Sequence, residues 1–114
     1  MESLRILICC AAGYSSGLLA QKTKKAANAR GITANIDARS ESQAESFLGK
    51  IDVMLLAPHY ANVLEQFKAL AEPYGVPVVV IPHRIYGLID GNAMLNLAIE
   101  AINQKNNNVE GEKQ

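Results

Sequence analysis

Two adjacent thiols, Cys9 and Cys10, end the apolar run that begins at Arg5, and the small-residue stretch Ala11-Ala12-Gly13-Tyr14-Ser15-Ser16-Gly17 follows them. A helix starting in that stretch turns its first N–H groups, which lack intrahelical partners, and the positive end of its dipole toward the loop. Such a ring of amide hydrogens binds an anion. The same field stabilises a thiolate, so one loop can both activate the Cys10 sulfur as a nucleophile and hold the phosphoryl group it receives. Covalent phosphoryl transfer through Cys10 is the chemistry this spacing favours. The candidate donors to the three equatorial phosphoryl oxygens are the backbone from Ala11 through Ala12, Gly13, Tyr14, Ser15 and Ser16 to Gly17, with the Ser15 and Ser16 hydroxyls.

Each of these residues also has a plainer use. A cysteine is commonly a small buried hydrophobe, and that role falls to Cys9, while Cys10 stands where a strand gives way to Gly and Ser. A disulfide between the two neighbours would be strained. Ser15 and Ser16 can simply cap the helix, using the same N–H groups an anion would use. Gly13 and Gly17 can be turn glycines. Tyr14 beside the reactive centre, and Pro58 and His59 at the end of a later strand, are candidates for docking a partner. His83 is a weaker candidate, since neither histidine has a partner visible in sequence. Lys22, Lys24, Lys25 and Arg30 form a basic face with no acidic residue between Ile6 and Ile36, either solvated or used to attract an acidic partner.

Short apolar runs alternate four times with helix-like stretches, the pattern of βαβ units around a parallel sheet. The first strand is read at 4–9, and a helix follows over 16–30 until Gly31 supplies the left-handed position that commonly ends one. The second strand, 33–39, alternates Ala34, Ile36 and Ala38 with Asn35, Asp37 and Arg39, as at a sheet edge. The runs 53–57 and 76–81 are almost continuously apolar, as parallel strands covered on both faces are, with Pro77 tolerable only near a strand start or an edge. Between strands, Ser40 or Ser42 is expected to open a capping box over a short helix at 43–48. Val63, Leu64, Phe67, Leu70 and Ala71 are expected to share the buried face of a third helix ended by Pro73 and Gly75. The last helix is placed at 92–103. Right-handed crossovers favour an open four-stranded parallel sheet of order 2-1-3-4 with helices on both faces. Functional loops then gather at the carboxyl ends of the strands, the Cys10 loop among them.

The chain has 114 residues, 49% hydrophobic and 19% charged, which suits one domain with one core. That domain is placed at 4–103. The segment 104–114 has almost nothing to bury and is expected to be a flexible tail. Eleven basic and eleven acidic residues cancel, so nothing global points to nucleic acid. No apolar stretch approaches the roughly 20 residues needed to cross a bilayer, and the N-terminus lacks signal-peptide regions, so a cytoplasmic location is expected. A reducing compartment would keep both thiols. No metal-ligand cluster or cofactor motif is visible, and none is expected.

The segment 10–19 resembles the phosphorylation loop of the lactose/cellobiose (chitobiose) type IIB components of the bacterial phosphoenolpyruvate-dependent sugar phosphotransferase system. The segments Asp52-Val-Met-Leu-Leu-Ala57-Pro58, Glu72-Pro-Tyr-Gly-Val-Pro-Val78 and Tyr86-Gly-Leu-Ile-Asp-Gly91 are similar to that family's later landmarks, in the same order. The resemblance spans 4–102. It implies a cytosolic phosphocarrier whose cysteine, at the position of Cys10, takes a phosphoryl group from a phosphohistidine of a IIA partner. The group then passes to a sugar, a β-linked disaccharide such as cellobiose, chitobiose or lactose, entering through a membrane IIC partner. It also implies association with the inner face of the membrane through that partner.

Gly17 stands where the family commonly has a hydroxyl residue, Tyr14 where it often has methionine, and Ala57 and His59 flank Pro58 where glycine and glutamine are usual. A low-molecular-weight phosphatase of related layout, with a similar phosphate loop after its first strand, needs an arginine six positions after its cysteine. Here that position is Ser16, so hydrolysis lacks its bidentate charge stabiliser and a phosphocysteine can persist. Two other readings compete with the carrier. One is a flavodoxin-like domain holding a cofactor or nucleotide phosphate, against which stand the missing three-glycine pattern and the absence of tryptophan. The other is a regulatory docking module that transfers no phosphate.

Overall fold

Four strands run parallel in one sheet, β1 (Leu4–Cys9), β2 (Ala34–Arg39), β3 (Val53–Leu56) and β4 (Val78–Val80), in the order β2-β1-β3-β4 expected from the sequence. The computed structural model describes residues 4–9 and 14–112; for 14–16, 41 and 106–112 it describes the backbone only. Leu4 pairs with Ala34 through Cys9 with Arg39 on one side of β1, and Ile6 pairs with Val53 through Cys9 with Leu56 on the other. The strand that leads to Cys10 is therefore central, hydrogen-bonded on both sides.

The strand pleat sends alternate side chains to opposite faces. Leu7 and Cys9 join Met54, Leu56 and Val78 on the face covered by α2 (Ala44–Phe47) and α3 (Leu64–Ala71), where Leu48, Phe67 and Ala71 complete the cluster. Ile6 and Ile8 join Val53 and Leu55 on the face covered by α1 (Tyr14–Ala29) and α5 (Gly91–Glu112), against Leu19, Ala27, Met94, Leu95 and Ala98. Cys9 is a buried thiol in the first cluster, and Met54 is fully enclosed there. Thr23, a buried polar residue of α1, donates its hydroxyl hydrogen to the Leu19 carbonyl at 2.7 Å, which removes the cost of an unpaired group.

The turns explain how α1 and α5 come together. Gly31 and Gly75 take φ of +72° and +69°, the left-handed region where a side chain is strained. Asp90 caps α5: its carboxylate accepts from the Ala93 N–H at 3.1 Å and its carbonyl from the Met94 N–H at 3.0 Å. Gly91 then meets the α1 backbone so closely that a Cβ there would press on the Lys22 carbonyl and lie 2.9 Å from the Thr23 nitrogen. Arg30 bridges the same two helices, donating to the Asn92 side-chain oxygen at 3.1 Å.

At the opposite edge of β1 from the loop, the Arg5 guanidinium and backbone N–H hold the Asp52 carboxylate at 3.0 and 2.9 Å. Partial burial pushes the Asp52 carboxyl up. The hydrogen bonds and charge of Arg5, with the charge of Lys105, outweigh that and hold it below its ordinary value.

Several expectations are corrected. α1 starts at Tyr14, two residues early. The capping box is absent: Gln43 precedes α2 without a side-chain cap bond, while the Ser40 and Ser42 hydroxyls bond each other at 3.1 Å. Leu70 is 42% exposed, because α3 turns its Phe67–Ala71 line inward and Leu70 lies one residue, about 100°, around from Ala71. β4 is only three residues long, a lateral edge with Val79 and Val80 half-buried. An unexpected helix, α4 (His83–Leu88), follows it. α5 continues to Glu112 rather than ending near Asn103; extending a formed helix is cheaper than nucleating one, and no proline intervenes.

Candidate functional site

The carboxyl edge of the sheet is where β1, β2, β3 and β4 all release the chain. Cys9 is the last residue of β1, with Arg39 and Leu56 beside it. Its carbonyl accepts the Ala57 N–H at 3.0 Å, and one strand farther the Leu56 carbonyl accepts the Ile81 N–H at 2.7 Å. These bonds fix the point from which the chain proceeds to Cys10. Cys10, Ala11, Ala12 and Gly13 lie outside the described residues, as do the side chains of Tyr14, Ser15 and Ser16, whose backbone forms the first turn of α1. Gly17, in the same turn, is half-buried, and among the described residues no atom lies within 4 Å of where its Cβ would stand.

The segment leaving β3 begins with fully buried Ala57, and Pro58 starts a 3-10 turn over Pro58–Val63, where its missing N–H costs nothing. The Tyr60 N–H donates back to the Ala57 carbonyl at 2.9 Å. Pro58 is buried at the start of that turn. His59 is exposed. Its ring lies 4.8 Å from Tyr60 and 6.3 Å, edge-on at 73°, from Tyr86 of α4. Tyr60 in turn packs 6.3 Å from Phe67. The structure thus joins the ends of β3 and β4 through an aromatic cluster on the carboxyl edge, with His59 as its exposed member.

Sequence reasoning missed α4 and so missed Tyr86 as a member of this cluster. The one hint in the sequence is Pro82, a residue suited to a helix start, since six residues are too few to display a helical period. His83 and Arg84 are exposed in the first turn of α4, on the same edge.

Arg39, at the carboxyl end of β2, is the arginine whose strand position adjoins Cys9. Its guanidinium is already engaged: it donates to the Ala38 carbonyl at 3.0 Å, lies 3.9 Å from the Asp37 carboxylate and sits 5.1 Å over the Phe47 ring. Among the described residues no group of three His, Cys, Asp or Glu side chains is placed to hold a metal ion. No described helix is long and apolar enough to cross a membrane.

Residues 5–97 match the family model described as the lactose/cellobiose-specific IIB subunit of the PTS, the sugar phosphotransferase system. The galactose-specific EIIB component of Lactococcus lactis is 36% identical over 103 residues, covering 86% of this chain and 95% of that protein. The solution structure of a cellobiose-specific phosphotransferase IIB component from Borrelia burgdorferi is 35% identical, with a TM-score of 0.76 over 91% of this chain and 95% of the other. The lactose-specific EIICB component of Lacticaseibacillus casei is 28% identical over 81% of this chain, a match that occupies 16% of that longer protein.

Proposed function

The chain belongs to the lactose/cellobiose-specific IIB subunit family of the phosphotransferase system, and from that premise we propose that Cys10 is its phosphoryl carrier. The Cys10 thiolate attacks the phosphorus of a phosphohistidine on a IIA partner; the P–S bond forms as the P–N bond breaks, and the departing imidazole takes a proton. A sugar hydroxyl brought by a IIC partner then attacks phosphorus, the P–O bond forms as the hydroxyl proton is released to water, and the thiolate leaves with the P–S electron pair. The backbone N–H groups of 11–17 and the Ser15 and Ser16 hydroxyls hold the equatorial oxygens at the start of α1.

The observation that carries this reading is the position of the thiol pair. Cys9 ends a central strand, buried and bonded on both sides, at the edge where the loops gather, and Cys10 follows it in the sequence, four residues before Tyr14 opens a helix of 16 residues. Stretch 10–17 contains no arginine, and the guanidinium of Arg39 is held by Asp37, Ala38 and Phe47, which supports a phosphocysteine that persists long enough to be handed on. His59 and Tyr14 belong to the surface that meets the partners. The carrier works in the cytoplasm at the inner face of the membrane, beside IIC. Residues 4–103 form the folded domain, and beyond it α5 carries on to Glu112 through a segment, 104–114, in which Val109 is the one apolar side chain.

The relatives' names span galactose, cellobiose and lactose, so the proposed sugar is of that general kind, a β-linked disaccharide among them. The test is passage of phosphate: the chain is exposed to phosphorylated IIA protein, then to membranes carrying IIC with cellobiose or lactose. A carrier yields sugar phosphate. A docking module without transfer yields none, and that result overturns the proposal.

A further inference from the structure

We propose that the outer face of α1 is a docking surface for an acidic protein surface on the phosphodonor, an inference that rests on the phosphocarrier reading. Leu19, Thr23, Ala26 and Ala27 turn α1 inward. The opposite face presents Leu18, Gln21, Lys22, Lys24, Lys25 and Asn28, all exposed. Leu18 is 42% exposed, a large apolar side chain within a basic surround, which is the usual arrangement of a contact centre and its rim.

These lysines have no ion pair among the described residues. The described ion pairs are Arg5 with Asp52 and Arg39 with Asp37, and Arg30 is engaged with Asn92. No acidic residue lies between Ile6 and Ile36, although the whole chain is neutral. The positive field is therefore local to α1, and α1 is the helix that follows Cys10 in the chain. Leu18 is eight residues from Cys10, and Lys25 lies about 10 Å farther along the helix at ~1.5 Å per residue. The three lysines themselves span only three residues, about 5 Å along the helix axis and within a Debye length of about 10 Å, so they act together on a partner that covers Leu18.

An anionic membrane fits this face less well. Near such a surface each lysine contributes a factor of about five in binding, and one exposed leucine adds little apolar area to insert. Steering of an oppositely charged protein needs no apolar insertion, and it raises association rates by about 10–1,000-fold.

The experiment compares the full-length chain with the triple variant Lys22→Gln/Lys24→Gln/Lys25→Gln and with the triple Lys-to-Arg variant at the same positions. It measures the initial rate of phosphoryl labelling by phosphorylated IIA protein at ionic strengths of about 0.01 M and about 1 M, where the Debye length is ~30 and ~3 Å. The Gln variant is expected to label about tenfold more slowly at low salt, to converge with wild type at high salt and to reach the same final extent, while the Arg variant keeps the wild-type rate. Equal rates for the Gln variant and wild type at low salt overturn the docking proposal alone. So does binding of wild type to phosphatidylglycerol vesicles that the Gln variant loses while its labelling rate is unchanged, which would assign the face to lipid. No label on wild type overturns the phosphocarrier reading, and the docking proposal with it.

Discussion

Replacing Gly91 with alanine tests the packing that holds α1, and with it the start of the candidate phosphate loop, against the body of the protein. The added methyl would meet the Lys22 carbonyl and lie 2.9 Å from the Thr23 nitrogen, where ordinary contact begins near 3.4 Å. Both are backbone atoms in the middle of α1, so no rotamer change relieves the contact, and α1 and α5 must move apart. That movement loosens Leu19, Ala26, Met94, Leu95 and Ala98, which the two helices bury between them and the sheet. Overpacking of this kind costs about 1–3 kcal/mol, and the better helix propensity of alanine returns only a fraction of its usual ~1 kcal/mol at the first helical position. A net loss of about 2.5 kcal/mol is expected. With an unfolding entropy of roughly 2.1 cal/mol/K per residue over 114 residues, the Tm falls by about 10 °C. Thermal and urea unfolding of Gly91→Ala measure this directly. Gly87→Ala in α4, where a Cβ meets nothing described within 4 Å, serves as the control and should be neutral or slightly stabilising. A Gly91→Ala protein as stable as wild type would refute the close α1–α5 contact.

Three further outcomes follow from the same geometry. Because Asp52 titrates below its ordinary value in the folded chain, its pairing with Arg5 contributes fully above the unfolded carboxylate pKa, about 4, and fades as pH falls through the lower folded value. Asp52→Asn should therefore be modestly less stable than wild type in urea at pH 7, with the difference shrinking as the pH falls below about 4; a difference that grows on acidification would contradict the assignment. Gly17→Ser is expected to stabilise by about 0.5 kcal/mol in urea unfolding, since a helical glycine is replaced and nothing among the described residues crowds the position, and to leave the labelling rate by IIA protein undiminished. A loss of stability above about 1 kcal/mol would show that the space is occupied. Met54→Ala, at a fully buried position in the central sheet, should cost about 2–5 kcal/mol in urea unfolding, and a smaller loss would mean that the core collapses around the cavity.

Much of the architecture was legible because period and punctuation agree. β1 was placed at its observed bounds, the alternation of Ala34, Ile36 and Ala38 marked the edge strand, and Gly31 and Gly75 stand at positive φ where helices stop. α4 was not legible. Six residues are fewer than two turns, too short to display a helical period, and its end depends on Ile89 at φ 52°, a conformation that no β-branched residue advertises. The capping expectation failed because Ser40 and Ser42 satisfy each other, and Ser46 donates to the Gln43 carbonyl at 2.8 Å; local side-chain bonds of this kind compete with caps. At the site, residue types point to Cys10 and the loop after it as the proposed carrier, whereas the His59–Tyr60–Tyr86 cluster depends on two segments that only the sheet order brings together. Pro58 reads as a contact from its place at a strand end, whereas its burial in the folded chain depends on packing that position alone does not reveal.

The central claim is the identity of the phosphorylated atom, and intact-mass measurement after exposure to phosphorylated IIA protein tests it most directly. Wild type and Cys9→Ala should each gain a single phosphoryl group with the acid and alkaline lability of a thiophosphate, and Cys10→Ser should gain none while remaining folded. A phosphoryl group retained by Cys10→Ser, or an adduct with the lability of phosphohistidine, would contradict the account.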